Sequence, residues 1–533
     1  MTIPLKIRLS VTSALVLLLR TSAQGQQGYG SVSFANSGSA AAQSDFLRGL
    51  AQLHNFEYGP AAEHFRKAEQ LSPDFAMAYW GEAMTQNHAV WHGQDLPAAR
   101  AVLERLGGTP EARLAKAPTE REKLYLHSIE ILYGDGTKEE RDQKYESAMA
   151  DLHRKFPDDV DAASFYALAI LGATDQGRNF ATYMRAAAVL EEIFPQNPRH
   201  PGVVHYLIHC YDDPIHAPLG LRAARIYSKI APDAGHAQHM TSHIFLALGM
   251  WVDVVKANET AIAVVNQQQQ MAKKPPRMCG HYNYWLEYGY LQQGRTPDAR
   301  RVLEGCRREA EGDAARAAAK KGEADPDTTL VDSYSEMRAN FLIDTQLWND
   351  DVVHWTLPAG EHAFAQFTFD YANALAAIQR GDNASARDRV ARVESDRQRC
   401  QAWLDQRKLR EPQSRKRLLV LTGQLQALLL LKSGKGDDAV RDLQHLAANE
   451  QEMPLEFGPP FVNKPTNELL GETLLQLNRP SAAQAALQES LAGAPGRRLS
   501  SSELAHAEKQ IADTSVNKDA NRPNAPTAEV HNH

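Results

Sequence analysis

Apolar positions recur along this chain at helical spacing and are broken at short intervals by turn residues. Phe46, Leu50 and Leu53 share one stripe, and Ala61, Ala62, Phe65, Ala68 and Leu71 share a second. Glu57-Tyr58-Gly59 reads as the turn between them and Ser72-Pro73-Asp74 as the stop. The pattern predicts a helix, a tight turn, a second helix and a proline punctuation. It restarts at Phe75 with Ala76, Ala78, Tyr79, Trp80, Gly81 and Ala83. Small residues at these positions let two helices approach closely.

The unit repeats. Clear copies lie at Asp45–Asp74, His236–Val265, His281–Glu304 and Lys464–Pro495, with weaker ones at Ala162–Pro195, Val203–Pro232 and Val420–Ala447. A period of about 34 residues, Gly or Ala in the first helix, Ala and Phe in the second and Pro after it resembles the tetratricopeptide repeat (TPR). The resemblance implies an all-α, right-handed superhelical solenoid over 44–510, with a concave groove lined by the first helix of each hairpin. Two inserts interrupt the array: 93–120, read as a helix plus a long linker, and 309–329, read as a helix continuation and an exposed loop.

The ends differ from the middle. Lys6 and Arg8 precede a mostly apolar run, Leu9–Leu19, and Thr21-Ser22-Ala23 offers a cleavage site, so 1–23 reads as a signal peptide and the protein as periplasmic or secreted. The Gly/Ser-rich stretch 24–43 is expected to be flexible and the Asn/Pro/His-rich tail 515–533 disordered. No transmembrane segment is expected in the mature chain. The 533 residues are 43% hydrophobic, with 58 basic against 65 acidic side chains and a net charge of -7. That balance gives no electrostatic footprint for nucleic acid, and no nucleic-acid partner is expected. Cys210, Cys279, Cys306 and Cys400 match no zinc spacing and read as small buried hydrophobes; an exported protein allows a disulfide among them, but the sequence does not pair them.

A repeat scaffold needs no imidazoles to fold, yet the middle of this one is rich in them. His205/His209 and His239/His243 are i,i+4 pairs, each on one helical face. They fall at equivalent first-helix positions one repeat apart, and adjacent helices pack at roughly 8–10 Å. Four imidazoles there are expected to project into one groove and hold a divalent transition metal such as zinc, copper or iron. His236, His281 and Glu287 are candidate catalytic, acid/base or additional ligand residues; Asp212, Asp213 and Glu82 are candidate supporting carboxylates. His54, His88, His92, Tyr284 and Tyr288 are candidates for lining the groove against a ligand. Neither pair carries the His-Glu-x-x-His pattern of zinc proteases, and phosphate loops, nucleotide fingerprints and nucleophile elbows are missing from the sequence.

His-Pro-Gly-Val-Val-His-Tyr-Leu-Ile-His at 200–209 and His-Met-Thr-Ser-His-Ile-Phe at 239–245 resemble a group of exported bacterial TPR proteins. Met77–Met84 and Phe457-Gly-Pro-Pro-Phe461 belong to the same resemblance. It implies one continuous architecture and no established catalytic role. The leading expectation is therefore a metal-binding protein, with metal-dependent catalysis on a small organic ligand in the groove. The alternatives are a non-enzymatic adaptor for peptide or protein partners and an assembly factor for an envelope complex.

Overall fold

Short polar punctuation sets many of the helix starts. Thr119 and Thr137 each accept the N–H three residues on, while Glu122 and Glu140 reach back to the capping backbone. Asp95, Asp159 and Asn179 cap three further helices with a side-chain oxygen. The computed structural model describes residues 28–174, 177–319, 330–358, 360, 362–407 and 412–520. The expected signal peptide lies outside them, as does most of the loop expected near 309–329.

The chain divides into two units. The first takes residues up to 248, 252–277 and the short segment Pro454–Phe457. Its helices are α1 (Gln43–His54), α2 (Tyr58–Leu71), α3 (Ala76–Met84), α4 (Leu96–Leu106), α5 (Pro110–Leu114), α6 (Glu120–Leu132), α7 (Lys138–Lys155), α8 (Val160–Gly172), α9 (Phe180–Ile193), α10 (Pro201–Cys210), α11 (Ala217–Ile230), α12 (Gly235–Ala247) and most of α13 (Trp251–Met271). They pair as hairpins, α1 with α2, α8 with α9 and α10 with α11, and the first helices of neighbouring hairpins touch, α8 on α10 and α10 on α12. A contact of α10 with α1 joins helices far apart in the chain.

The second unit holds Gly249–Trp251, Met278–Met453 and residues from 458 on. It is built of α14 (His281–Gln292), α15 (Thr296–Ala319), α16 (Leu330–Thr345), α17 (Ala363–Gln379), α18 (Asn383–Gln406), α19 (Pro412–Lys432), α20 (Gly436–Gln451), α21 (Thr466–Gln476), α22 (Pro480–Gly493) and α23 (Arg498–Ala520). The same logic applies: α14 pairs with α15, α19 with α20 and α21 with α22, while α14 touches α16 and α19 touches both α17 and α21. Phe367, Tyr371, Leu421, Leu425, Leu443, Leu469 and Leu487 form the heart of its core. The all-α, TPR-like helix-hairpin class is thus the one observed. A two-residue antiparallel pair, β1 (Asn87–His88) with β2 (Gly93–Gln94), is the exception among the described residues.

Several local expectations are corrected. From residue 28 on, the stretch read as flexible is a packed strap: Tyr29, Val32 and Phe34 are buried. Phe34 meets Phe46, Trp80 and Tyr125 at ring-centroid distances of 5.4, 5.9 and 5.1 Å. The Arg121 guanidinium lies 4.0 Å from its centroid. Three apolar anchors outweigh a Gly/Ser-rich composition. The region 93–120 is mostly helix (α4 and α5) rather than linker. The tail boundary drawn at 515 falls inside α23, which runs to Ala520; the rest of the tail lies outside the described residues. Cys279 and Cys306 form a disulfide, while Cys210 and Cys400 are the buried hydrophobes expected of all four. No helix among the described residues is long and apolar enough to cross a membrane.

Candidate functional site

The two histidine pairs sit on α10 and α12, helices in direct contact. His200 caps α10, accepting the Val203 N–H, and Pro201 occupies the first turn, where its missing donor costs nothing. All ten residues of α10 are buried, and so is almost all of α12. The imidazoles therefore face the interior of the first unit instead of an open groove: His205, His209, His239 and His243 are 0–3% exposed.

Their ring nitrogens converge. His205 Nε2 lies 3.1 Å from His209 Nε2 and 3.2 Å from His236 Nε2. His239 Nε2 and His243 Nε2 are 3.0 Å apart. Ring centroids of His209 and His243 are 6.0 Å apart and those of His236 and His239 6.3 Å, so the five rings form a closed circuit.

The opposite edge of three rings fixes their tautomers. His205 Nδ1 donates to the His54 carbonyl at 2.7 Å, which can only accept. His239 Nδ1 donates to Asn258 Oδ1 at 2.7 Å; the Asn258 amide is oriented by its Nδ2 donating to the Val254 carbonyl. His243 Nδ1 donates to the Asp212 carboxylate. A neutral imidazole with Nδ1 protonated presents a bare lone pair at Nε2. Burial, reinforced by neighbouring imidazoles, pushes His205 and His209 well below the usual histidine range, so these two rings are neutral at rest.

Phe56 covers one side of this cluster. Its backbone is held in the left-handed region (φ 56), uncommon for a residue with a side chain. That conformation lays its ring 4.3 Å from His205 and 5.5 Å from His236. The half-exposed Trp91 stacks edge-on against both Phe56 and His236.

A second buried group lies beside the first. Asp161 Oδ1 accepts from His54 Nε2 at 2.9 Å and from His200 Nε2 at 3.3 Å, and the Tyr206 hydroxyl donates to His54 Nδ1 at 3.0 Å. Burial lowers His54 to about 4, against the opposing pull of Asp161. Burial also opposes ionisation of Asp161, but the His200 and His54 N–H groups more than offset it and hold the carboxyl well below its ordinary range. His205–His209–His236 and His54–Asp161–His200 each bring three donor atoms within 4.8 Å of one another, close enough to coordinate a metal ion. They differ in what hydrogen bonds already satisfy. In the Asp161 group every ring nitrogen has a partner, and Asp161 Oδ2 alone is left over.

His88 and His92 do not share a helical face: a strand pair and a 3-10 turn intervene, His88 stacks on Tyr58 at 4.2 Å and His92 is exposed. His54, expected to line a groove, is 0% exposed. Glu82 is tied up with Arg66 and Arg105. Asp213 pairs with Arg178 at 2.9 Å. His281, Tyr284, Glu287 and Tyr288 belong to the second unit. There His281 is exposed, Tyr288 accepts from Arg497 at 3.0 Å, and Glu287 is buried with neither carboxylate oxygen hydrogen-bonded. Burial, then the charge of Asp344, raises Glu287 well above the usual carboxylate range, which suits a neutral acid and not a base. Asn258 carries no sequence signal, being one amide on a mixed helix. Asp161 does carry one, as a lone acid in the apolar run Val160–Gly172.

No family model matches the chain, and no curated protein is matched by sequence. Solved structures of similar fold include yeast Tom70 (11% identity, 95% of this chain and 97% of that one, TM-score 0.33). Another is the TPR domain of P58(IPK), at 12%, 89%, 99% and 0.22 in the same terms. A third is the human IFIT1 dimer with m7Gppp-AAAA, at 12%, 91%, 96% and 0.28. The paired-helix packing within each unit resembles that of TPR helical-solenoid proteins in general. The imidazoles expected in an open groove are buried. The expectation of a metal-dependent enzyme acting on a small organic ligand in an open groove is corrected accordingly. The expectation of no nucleic-acid partner is also withdrawn: net charge averages over a whole chain and does not exclude a local site.

Proposed function

We propose that this chain is a non-enzymatic TPR-type adaptor that binds a peptide or protein partner along its helix-hairpin array. The observation that carries this reading is a polar network in the second unit, built across successive hairpins, with a partly exposed edge. Arg417 on α19 reaches Glu336 on α16 at 2.8 Å and Asn463, ahead of α21, at 2.8 Å; Asn463 in turn bonds Asn340 at 2.9 Å. Glu336 and Tyr284 are partly exposed beside them. Arg417, Asn463 and Asn340 are buried and bonded to one another, so Glu336 and Tyr284 form the edge of the network that the polar groups of an extended segment can reach. A photo-crosslinking residue at position 284 tests this in living cells. One defined adduct, lost in Arg417→Ala, supports the adaptor; labelling no greater than at an outer-face control position overturns it.

The adaptor works in the periplasm or outside the cell, as in the exported bacterial TPR group that its 200–209 and 239–245 segments resemble. The basic and apolar residues of 1–23 support export, and so does the Cys279–Cys306 disulfide, a bond that persists in oxidising compartments. The imidazole cluster carries a divalent transition ion, zinc, copper or iron. Nitrogen donors without a carboxylate among them favour these metals over magnesium or calcium. Elemental analysis of untagged protein tests that assignment.

A further inference from the structure

We infer that the face of the second unit formed by α14, α16 and α19 is a site for a proline-rich segment that ends in an aromatic residue. Residues 458–461 of the chain itself occupy it until a partner replaces them. This rests on the adaptor reading above and adds the partner's chemistry to it.

The occupant lies between α20 and α21 and reads Gly458-Pro459-Pro460-Phe461-Val462-Asn463-Lys464-Pro465. Its three prolines each lack an N–H and oppose helix. Among the described residues, 458–464 form no hydrogen bond from main chain to main chain. Side chains of the helix array grip them instead. Arg417 Nε donates to the Phe461 carbonyl at 2.6 Å, and Gln424 Nε2 donates to the Lys464 carbonyl at 2.8 Å. The Arg417 guanidinium also lies 5.4 Å from the centroid of the Phe461 ring. Gly458 takes φ 103, and a Cβ there would stand 2.7 Å from Trp285 Cζ2, so bare backbone lies against the indole. Carbonyls held by side chains, a ring against a guanidinium and backbone laid on an indole are the contacts by which a groove holds an extended, proline-rich peptide. Here that peptide is part of the same chain.

Burial divides the segment in two. Val462, Asn463 and Lys464 are 2–3% exposed. Asn463 bonds Glu336, Asn340 and Arg417, and Lys464 pairs with Glu468 and Glu472. This half is an anchor. In the other half Pro459 is buried, but Gly458, Pro460 and Phe461 are partly exposed. Residues 458–461 can therefore lift while Asn463 and Glu336 keep Arg417 aimed at the vacated place. A partner segment of the same chemistry restores the same contacts, and its prolines limit the entropy lost on ordering.

The test uses full-length protein and a fluorescein-labelled peptide, Gly-Pro-Pro-Phe-Val-Asn-Lys, followed by fluorescence anisotropy. The variant Pro459→Ser/Pro460→Ser/Phe461→Ala opens the site in place. It is expected to bind the peptide about tenfold or more tightly than the wild type, where only the opened fraction is competent. Adding Arg417→Ala to the opened variant should abolish binding, and circular dichroism checks that each variant is folded. Hydrogen exchange needs no variant: the Gly458 and Phe461 amides of the wild type should exchange faster than those of α21. Equal affinity for wild type and opened variant, or none for either, overturns the inference, as do Gly458 and Phe461 amides as slow as α21. In each case an Arg417-dependent adduct at position 284 leaves the adaptor reading standing, and its absence removes both.

Discussion

Gly202 sets how closely α10 approaches His54. A Cβ at this position would lie 2.3 Å from His54 Nδ1, inside contact distance of a ring held by Tyr206 and Asp161. Gly202→Ala is expected to cost about 1–3 kcal/mol through forced shifts, read as a lower urea midpoint. His54 itself makes stability depend on pH. Its folded value of about 4 lies below the ordinary histidine value, so between the two the unfolded chain binds the extra proton. The contribution is complete above about pH 6.5 and is lost as pH falls toward 4, amounting to about 3 kcal/mol. Chemical denaturation across that window should show stability falling with acid, with a shallower slope in His54→Gln. Asp212 acts one bond further out. Asp212→Asn should weaken Co²⁺ binding about 10–100-fold while the protein remains folded; unchanged affinity in a chelator competition assay would remove its positioning role.

At the scale of elements, the strap before α1 is the most direct test of packing. Phe34→Ala removes a ring buried among Phe46, Trp80 and Tyr125, and about 3–5 kcal/mol is expected. A flexible segment would show no effect in the same melting experiment. This element also marks the limit of the sequence. Periodicity made the hairpins legible, because each helix buries a regular stripe, and i,i+4 spacing correctly brought His205 to His209 and His239 to His243. It could not say that those faces point inward. In α10 no residue is exposed, so there is no polar face from which to read a direction. His88 and His92 looked like a third pair only while a helix was assumed; the turn at Ala89–Trp91 breaks the geometry. Asp161 and Asn258 reach the cluster from helices whose own patterns are dominated by packing, and only the fold reveals what they bind.

For the molecule as a whole, cysteine chemistry gives a simple count. Unfolded, unreduced protein should show two reactive thiols, Cys210 and Cys400, and reduced protein four. Four without reduction would remove the disulfide and one support for export. The two units also exchange short pieces of chain: Pro454–Phe457 belongs to the first and Gly249–Trp251 to the second. Phe457 brings its ring within 5.3 Å of His243. The strap adds a similar debt at the start, since Ser31 bonds the Arg199 carbonyl and Gly28 accepts from Asp233. An array of repeats can normally fold as it leaves the ribosome, each hairpin settling on the one before. This chain cannot complete its first unit that way. The earliest residues wait for position 233 to be synthesised, and the histidine circuit waits for position 457. Such long-range closure slows folding, and it means that no single cut yields an intact first unit.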